Sequence, residues 1–280
     1  MATSALLLLS LLLPQSSQPT AETLPAFDLA FAEADLVVIA TPKGYAGDHI
    51  PITIHTTLKG RTDGPRIFVL QPRGYGLHVR LPANATPHLI FLHKSRSGWI
   101  PLQRSGILIP VPAKSRREQA LRTFVGLLRR KHSADLARDF CLYATSHIQA
   151  EPLLAQAALL TLARRPALAP DLGPKERQQL RTLLLDERSA VVLRDLSARV
   201  LWSAKDPGLD NRMIALLSQG KATGLGPVFG RLLASHPTPA SLAGISNAWR
   251  RASEQTRPEI LASLQAFPQA VRKKLENSLK

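Results

Sequence analysis

The side chains of this 280-residue chain that could do chemistry are eight histidines, a single cysteine, one Ser-x-x-Lys pattern and five clusters of arginine and lysine. His88 and His93 lie five residues apart in a strand-like run, so they point to opposite faces, and no cysteine or acidic residue stands near them at zinc-ligand spacing. No metal site and no cofactor are expected. Ser218-Gln219-Gly220-Lys221 has the spacing of a serine nucleophile with its lysine. That chemistry requires the serine at the start of a helix, and here the pattern falls at a helix end. The sequence contains no Gly-x-Ser-x-Gly elbow, no phosphate-binding glycine loop followed by Lys and Ser or Thr, and no dinucleotide fingerprint. Asp186 and Glu187 are neighbours in a loop, a placement that suits capping and solvation rather than acid–base work. Cys141, within Phe140-Cys141-Leu142-Tyr143, reads as a small buried core residue. With one cysteine no intramolecular disulfide forms, so stability must come from packing.

Charge is the remaining lead. The chain holds 36 Lys and Arg against 20 Asp and Glu, a formal charge of +16, so its surface attracts anions in a salt-sensitive way. The candidate anion-binding residues are Arg116, Arg117, Arg129, Arg130, Lys131, Arg164, Arg165, Arg250 and Arg251, with Arg272-Lys273-Lys274 as a further cluster. Most fall at expected helix ends, where cations meet the helix dipole favourably. Two readings therefore stand: solvated, dipole-matched caps, or a ridge on stacked helices that forms an anion-binding face. Base-stacking aromatics are not interleaved with these residues, which weakens nucleic acid as the partner.

The start of the chain bears on the compartment. Ala5 to Leu13 is an apolar run broken only by Ser10 and stopped by Pro14, too short to cross a bilayer, and small polar residues follow from Gln15 to Ala21. This pattern predicts a signal peptide over residues 1–21 and an exported protein, periplasmic or secreted. Two features depart from it: no Lys or Arg precedes the run, and Pro19 stands where a small residue is expected, so a plain apolar leader is the alternative.

The elements that would position these side chains fall into two blocks. Residues 22–112 read as a β-barrel domain. Leu36-Val37-Val38-Ile39 is a continuous apolar run, the mark of a central strand, and Ile50, Ile52, Ile54, Thr56 and Leu58 alternate, the mark of a half-exposed one. Further strand-like runs are Ile67 to Leu70, Leu77 to Leu81, Leu89 to Leu92, Trp99 to Leu102 and Ile107 to Ile109, separated by turns such as Lys59-Gly60 and Ser97-Gly98. Seven short strands at this spacing predict a small barrel or sandwich, because closure removes sheet edges. A short helix, Phe27 to Ala34, precedes them. Asn84-Ala85-Thr86 is a glycosylation sequon to which the sequence attaches no role.

Phe31-Ala32-Glu33-Ala34-Asp35-Leu36-Val37-Val38, Thr57-Leu58-Lys59-Gly60 and Leu89-Ile90-Phe91-Leu92 together resemble the opening of exported bacterial domains of the tissue-inhibitor-of-metalloprotease-like type. The resemblance covers Leu24 to Val111 and implies a five- or six-stranded OB-like barrel. It does not imply protease inhibition, because animal members inhibit through an N-terminal cysteine held by disulfides and this region has no cysteine.

Residues 113–280 read as an α-helical repeat domain. Ser115-Arg116-Arg117-Glu118 is a capping-box sequence that opens the first of its helices. Helical stretches follow near Ala134–His147, Pro152–Arg165, Pro174–Leu185, Ser189–Ala204, Pro207–Ser218, Pro227–His236, Pro239–Ser253, Pro258–Phe267 and Pro268–Leu279, several opening on a proline. Short helices with tight loops are what stacked helix pairs require. In one of them Val192, Leu193, Leu196 and Val200 form one apolar face, and Val191, Ala198 and Trp202 form another, so it should be buried on two sides. Asp186 to Ala198 is similar to a HEAT repeat, which implies an α-solenoid.

The expected fold is thus α+β with two domains, a small OB-like barrel followed by a HEAT-like helical solenoid. The expected function is a non-enzymatic exported binding or scaffolding protein, with a basic helical surface for a protein partner or an anionic envelope polymer. An envelope-polymer hydrolase would instead need Ser, His and acidic residues converging from separate segments, with His55, His78 or His93 as its candidate bases. A nucleic-acid-binding protein is the reading if the chain is not exported.

Overall fold

The computed structural model describes residues 27–44, 46, 48–70, 86–102 and 109–278. The signal peptide (1–21), the alternating run with Leu77, His78, Val79 and Leu81, the sequon at Asn84, and Gly106 with Ile107 lie outside the described residues.

The chain opens with helix α1, Phe27–Glu33, followed by strands β1 (Leu36–Pro42), β2 (His49–Lys59), β3 (Arg66–Leu70), β4 (His88–Ser95) and β5 (Gly98–Pro101) and the two-residue β6 (Ile109–Pro110). The strand order is β1-β2-β3-β5-β4, and β4 pairs back onto β1, so five strands close a barrel while β6 adds to β4. All pairings are antiparallel except β3 with β5. This non-sequential order is the Greek-key type of barrel expected of an OB-like domain.

The apolar runs have a direct physical cause. Leu36, Val38, Ala40, Ile50, Ile52, Val69, Ile90 and Leu92 fill the barrel, whereas Val37, Ile39, Leu89 and Phe91 point outward into a second cluster shared with α1 and the helices. β1 and β4 are therefore buried on both faces and carry unbroken apolar sequence, while β2 covers the barrel with one face only and alternates.

The Leu58-Lys59-Gly60 turn fastens α1 to this wall. The Lys59 ammonium donates to the carbonyls of Phe31 (2.6 Å) and Ala32 (3.0 Å), capping α1 from β2. Gly60 has φ of +81°, and a Cβ there would sit 2.3 Å from the Asp35 carbonyl oxygen, so only glycine fits.

The helical region comprises α2 (Arg116–Arg129), α3 (Ala134–His147), α4 (Pro152–Arg164), a 3-10 turn at Pro166–Asp171, α5 (Pro174–Leu185), α6 (Val191–Ser203), α7 (Leu209–Ser218), α8 (Gly226–Ser235), α9 (Pro239–Arg251), α10 (Arg257–Leu264) and α11 (Gln269–Ser278). α4, α6, α8 and α10 succeed one another in one row; in the other row α3 packs beside α5, and α7 beside α9. The fold is α+β, a closed barrel followed by an array of helices. One aromatic ladder crosses between them: Phe27 meets Phe91 at 6.1 Å and Phe124 at 5.9 Å, and Phe124 meets Phe140 at 6.3 Å.

Ser115 caps α2 by accepting from the Glu118 N–H (3.2 Å), but the expected reciprocal bond is not made. Glu118 turns instead to the Lys114 N–H (2.9 Å) and to Arg122 (2.8 Å), which in turn donates to Thr56 of β2 (2.9 Å). The carboxylate is diverted because it ties the helix to the barrel. The complete capping box belongs to α9, where Thr238 and Ser241 each accept the other's N–H. α6 begins at Val191 rather than Ser189, since Asp186 accepts from the Arg188 N–H and the Ser189 hydroxyl and holds those residues in a turn. α6 is buried around nearly its whole circumference, as a helix between two layers should be.

Candidate functional site

Among the depressions on the helical array, two are lined by polar and aromatic side chains. The more enclosed is a cleft of about 510 Å³ at the ends of α6 and α8, with Leu209 and Leu233 as apolar lining and Trp202, Lys205, Asp210 and His236 beside them. Its walls follow from local backbone chemistry. α6 ends where Lys205 takes φ of +51°, its N–H donating to the Trp202 carbonyl while the Asp206 N–H reaches back to Leu201, both at 3.0 Å. That left-handed position usually falls to glycine. Asp206 is buried and accepts two hydrogen bonds from Arg181, at 2.9 and 2.5 Å, which pins the loop to α5. These bonds push the Arg181 guanidinium above its ordinary value. The Trp202 and His236 rings lie side by side in the cleft wall, their centroids 6.1 Å apart and their planes tilted by 56°.

The second depression, a shallower groove of about 630 Å³, runs between α2, α3 and α5 and is lined by Thr123, Asp139, Tyr143, His147 and Gln179. His147 stacks on Tyr143 at 4.2 Å and 20°, and the Tyr143 hydroxyl donates to the Ala120 carbonyl. Burial raises the Tyr143 phenol well above its ordinary value, so it stays neutral.

The basic residues fall into two groups. Arg117 pairs with Glu151 (2.8 Å), Arg130 with Asp139, and Arg164 with Asp28 of α1 (3.2 Å). Arg116, Arg129, Lys131, Arg250 and Arg251 are exposed and Arg165 is half-buried, with no carboxylate partner among the described residues. Arg116 and Arg129 stand at opposite ends of α2, about 20 Å apart along its axis at 1.5 Å per residue, so they do not share one cluster.

Ser, His and acidic residues meet in the cleft, but Ser241, Asp206 and His236 are already engaged. Ser241 completes the α9 capping box, Asp206 holds Arg181, and His236 Nδ1 lies 3.1 Å from its own neighbour Ser235. His93 Nδ1 lies 2.8 Å from Asp35, yet both side chains are about half exposed on open surface. His55 Nε2 meets Thr41 at 2.7 Å, also at the surface. Ser218 is the last residue of α7 and its hydroxyl donates to Ala215, while Lys221 pairs with Glu187 at 3.2 Å. Cys141 is fully buried, and burial pushes its thiol up to about 12. No group of three metal-ligating side chains assembles among the described residues.

Sequence reasoning missed the cleft. Its one signal was Trp202 on the second apolar face of α6, a large aromatic that the neighbouring layer leaves partly uncovered. The fold and site together define a barrel-plus-helical-array protein with a surplus of cations. Comparisons with protein-family models, curated proteins and solved structures find no match for the chain.

Proposed function

We propose that this is a non-enzymatic binding or scaffolding protein, exported to the periplasm or secreted, whose helical array offers a basic surface to a protein partner or an anionic envelope polymer. The observation that carries this is where the acidic residues went. Asp28, Glu151, Glu176, Asp195 and Asp206 are buried, and each is answered by an arginine: Arg164, Arg117, Arg138, Arg199 and Arg181. Of the 36 Lys and Arg, 27 follow residue 112, together with only 14 of the 20 Asp and Glu. These pairs cancel one for one, so the surplus of the helical region stays with cations outside them, among them the exposed Arg116, Arg129, Lys131, Arg250 and Arg251, where it steers and holds anions. The two rows of packed helices support a HEAT-like array for this region, and the Lys59-Gly60 clamp on α1 supports a tissue-inhibitor-of-metalloprotease-like barrel. No helix among the described residues is long and apolar enough to cross a membrane.

The test is binding to dextran sulfate as a function of salt. Charge reversal of Arg129, Lys131, Arg250 and Arg251 is compared with reversal of four exposed barrel cations, Lys43, Arg61, Arg66 and Arg96. The helical set should lose affinity at least tenfold more than the barrel set; equal losses would mean diffuse charge and no binding face. Intact mass after bacterial expression should show a mature chain beginning at Glu22, in the exported fraction.

A further inference from the structure

The cleft at the ends of α6 and α8 carries two opposite charges that the fold leaves unused. Lys205 and Asp210 both line it, and neither pairs with the other or with another side chain among the described residues. Asp210 accepts only its neighbour Asn211's N–H, at 2.9 Å. The other carboxylate there, Asp206, is already neutralised by Arg181 and stands 3.9 Å from Arg212. Lys205 also stands at φ of +51°, where a glycine would hold the same turn without strain. Lys114 takes the same conformation (φ +55°) away from the cleft, so it is the place of Lys205 in the lining, beside an unpaired carboxylate, that singles it out. Ser203, Thr238 and Ser241 add hydroxyls to the lining, and the remainder is apolar or aromatic, with Trp202 and His236 forming a wall and Leu209 and Leu233 beside them. At about 510 Å³ the cleft has the size of a small-molecule site, in which a mostly apolar lining binds and a few polar groups orient.

We infer that this cleft binds a small zwitterion with an aromatic body, the chemistry of an aromatic amino acid or of a short peptide that ends in one. The ring packs against Trp202 and His236, the carboxylate is drawn to Lys205 and the ammonium to Asp210. This reading does not depend on polyanion binding, and the variants below leave Arg129, Lys131, Arg250 and Arg251, the cations tested for it, in place.

The test titrates the full-length protein with L-phenylalanine, phenylalaninamide, which lacks the carboxylate, N-acetylphenylalanine, which lacks the ammonium, and the dipeptide Gly-Phe. Binding is read by tryptophan emission and by equilibrium dialysis. Phenylalanine or Gly-Phe should bind saturably, and the tighter of the two identifies the source as free amino acid or peptide. Removing either charge should weaken binding at least tenfold. Lys205→Gly should erase the preference for phenylalanine over phenylalaninamide while raising the melting temperature, a combination that a damaged fold cannot produce. Asp210→Asn should erase the preference over N-acetylphenylalanine. Absence of saturable binding to wild type, or unchanged phenylalanine affinity in Lys205→Gly, overturns the assignment.

Discussion

Helices α8 and α10 cross at backbone contact, and the crossing can be tested with one methyl group. A Cβ on Gly230 would lie 2.0 Å from the Ser263 carbonyl oxygen and 2.7 Å from its Cα, against a floor near 3.0 Å for real Cβ contacts. The obstructing atoms are backbone, so no rotamer change relieves them, and α10 must withdraw by about 1 Å or more. Overpacking of this kind costs roughly 1–3 kcal/mol and sometimes more. Withdrawal also strains the bonds by which Glu259 of α10 accepts the N–H groups of Gly224 (2.7 Å) and Gly226 (2.9 Å) at the start of α8. With three backbone atoms inside 3.0 Å the upper end of that range applies. A loss of about 1 kcal/mol from the strained Glu259 bonds offsets the return of about 1 kcal/mol that alanine makes through helix propensity, leaving Gly230→Ala destabilised by about 2–3 kcal/mol. At about 2–4 °C per kcal/mol for a chain of this size class, the melting temperature should fall by roughly 5–10 °C. Gly126, mid-helix in α2, is the control: a Cβ there meets nothing within 4 Å, so Gly126→Ala should stabilise by about 0.5–1 kcal/mol. Thermal unfolding by far-ultraviolet circular dichroism reads both. If Gly230→Ala melts at or above wild type, α8 and α10 are not in backbone contact and the crossing is wrong.

Glu259→Gln should lower the urea midpoint by an amount equal to about 1–2 kcal/mol, because a neutral amide replaces a carboxylate that caps a helix N-terminus; an unchanged midpoint would show the cap to be inert. Cys141 should resist a thiol-specific chromogenic reagent at pH 8 in the native protein and react fully in guanidinium chloride, since burial holds its thiol near 12; rapid native labelling would contradict its place in the core. Asp35, Glu118 and Asp186 are all held below the usual carboxylate range. The chief causes are the Lys94 N–H for Asp35, Arg122 for Glu118 and the Ser189 hydroxyl for Asp186. Depressed carboxylates mean that the unfolded chain takes up protons first, so their stabilisation is present above the unfolded range near pH 4 and is lost as pH falls through the lower folded values. Urea midpoints from pH 7 to pH 3 should therefore hold steady and then drop below about pH 5, and a midpoint that rises on acidification would refute the assignment.

Much of the architecture was legible because its causes are local. Unbroken apolar runs at Leu36 to Ile39 and Leu89 to Leu92 come from strands covered on both faces, and the alternation of Ile50, Ile52 and Ile54 from a strand covered on one. Prolines at the openings of α4, α5 and α9 marked those helices, since a missing N–H costs nothing at that position. The two-faced apolar pattern of α6 announced a helix between layers.

Tertiary structure alone decided the rest, because it depends on groups far apart in the chain. Closure of the barrel rests on the pairing of β1 with β4, and the role of Lys59 on the carbonyls of a helix 27 residues and more before it. Glu118 left its capping box for Arg122 and a link to Thr56 on the barrel. Arg164 found Asp28 across 136 residues, and Arg117 found Glu151 across 34, so which cations remain for a ligand could not be counted from their runs in the sequence. The cleft is likewise a product of assembly. Trp202, Lys205, Asp210 and His236 share no motif or spacing, and they become neighbours only because stacked helices bring the ends of α6 and α8 together.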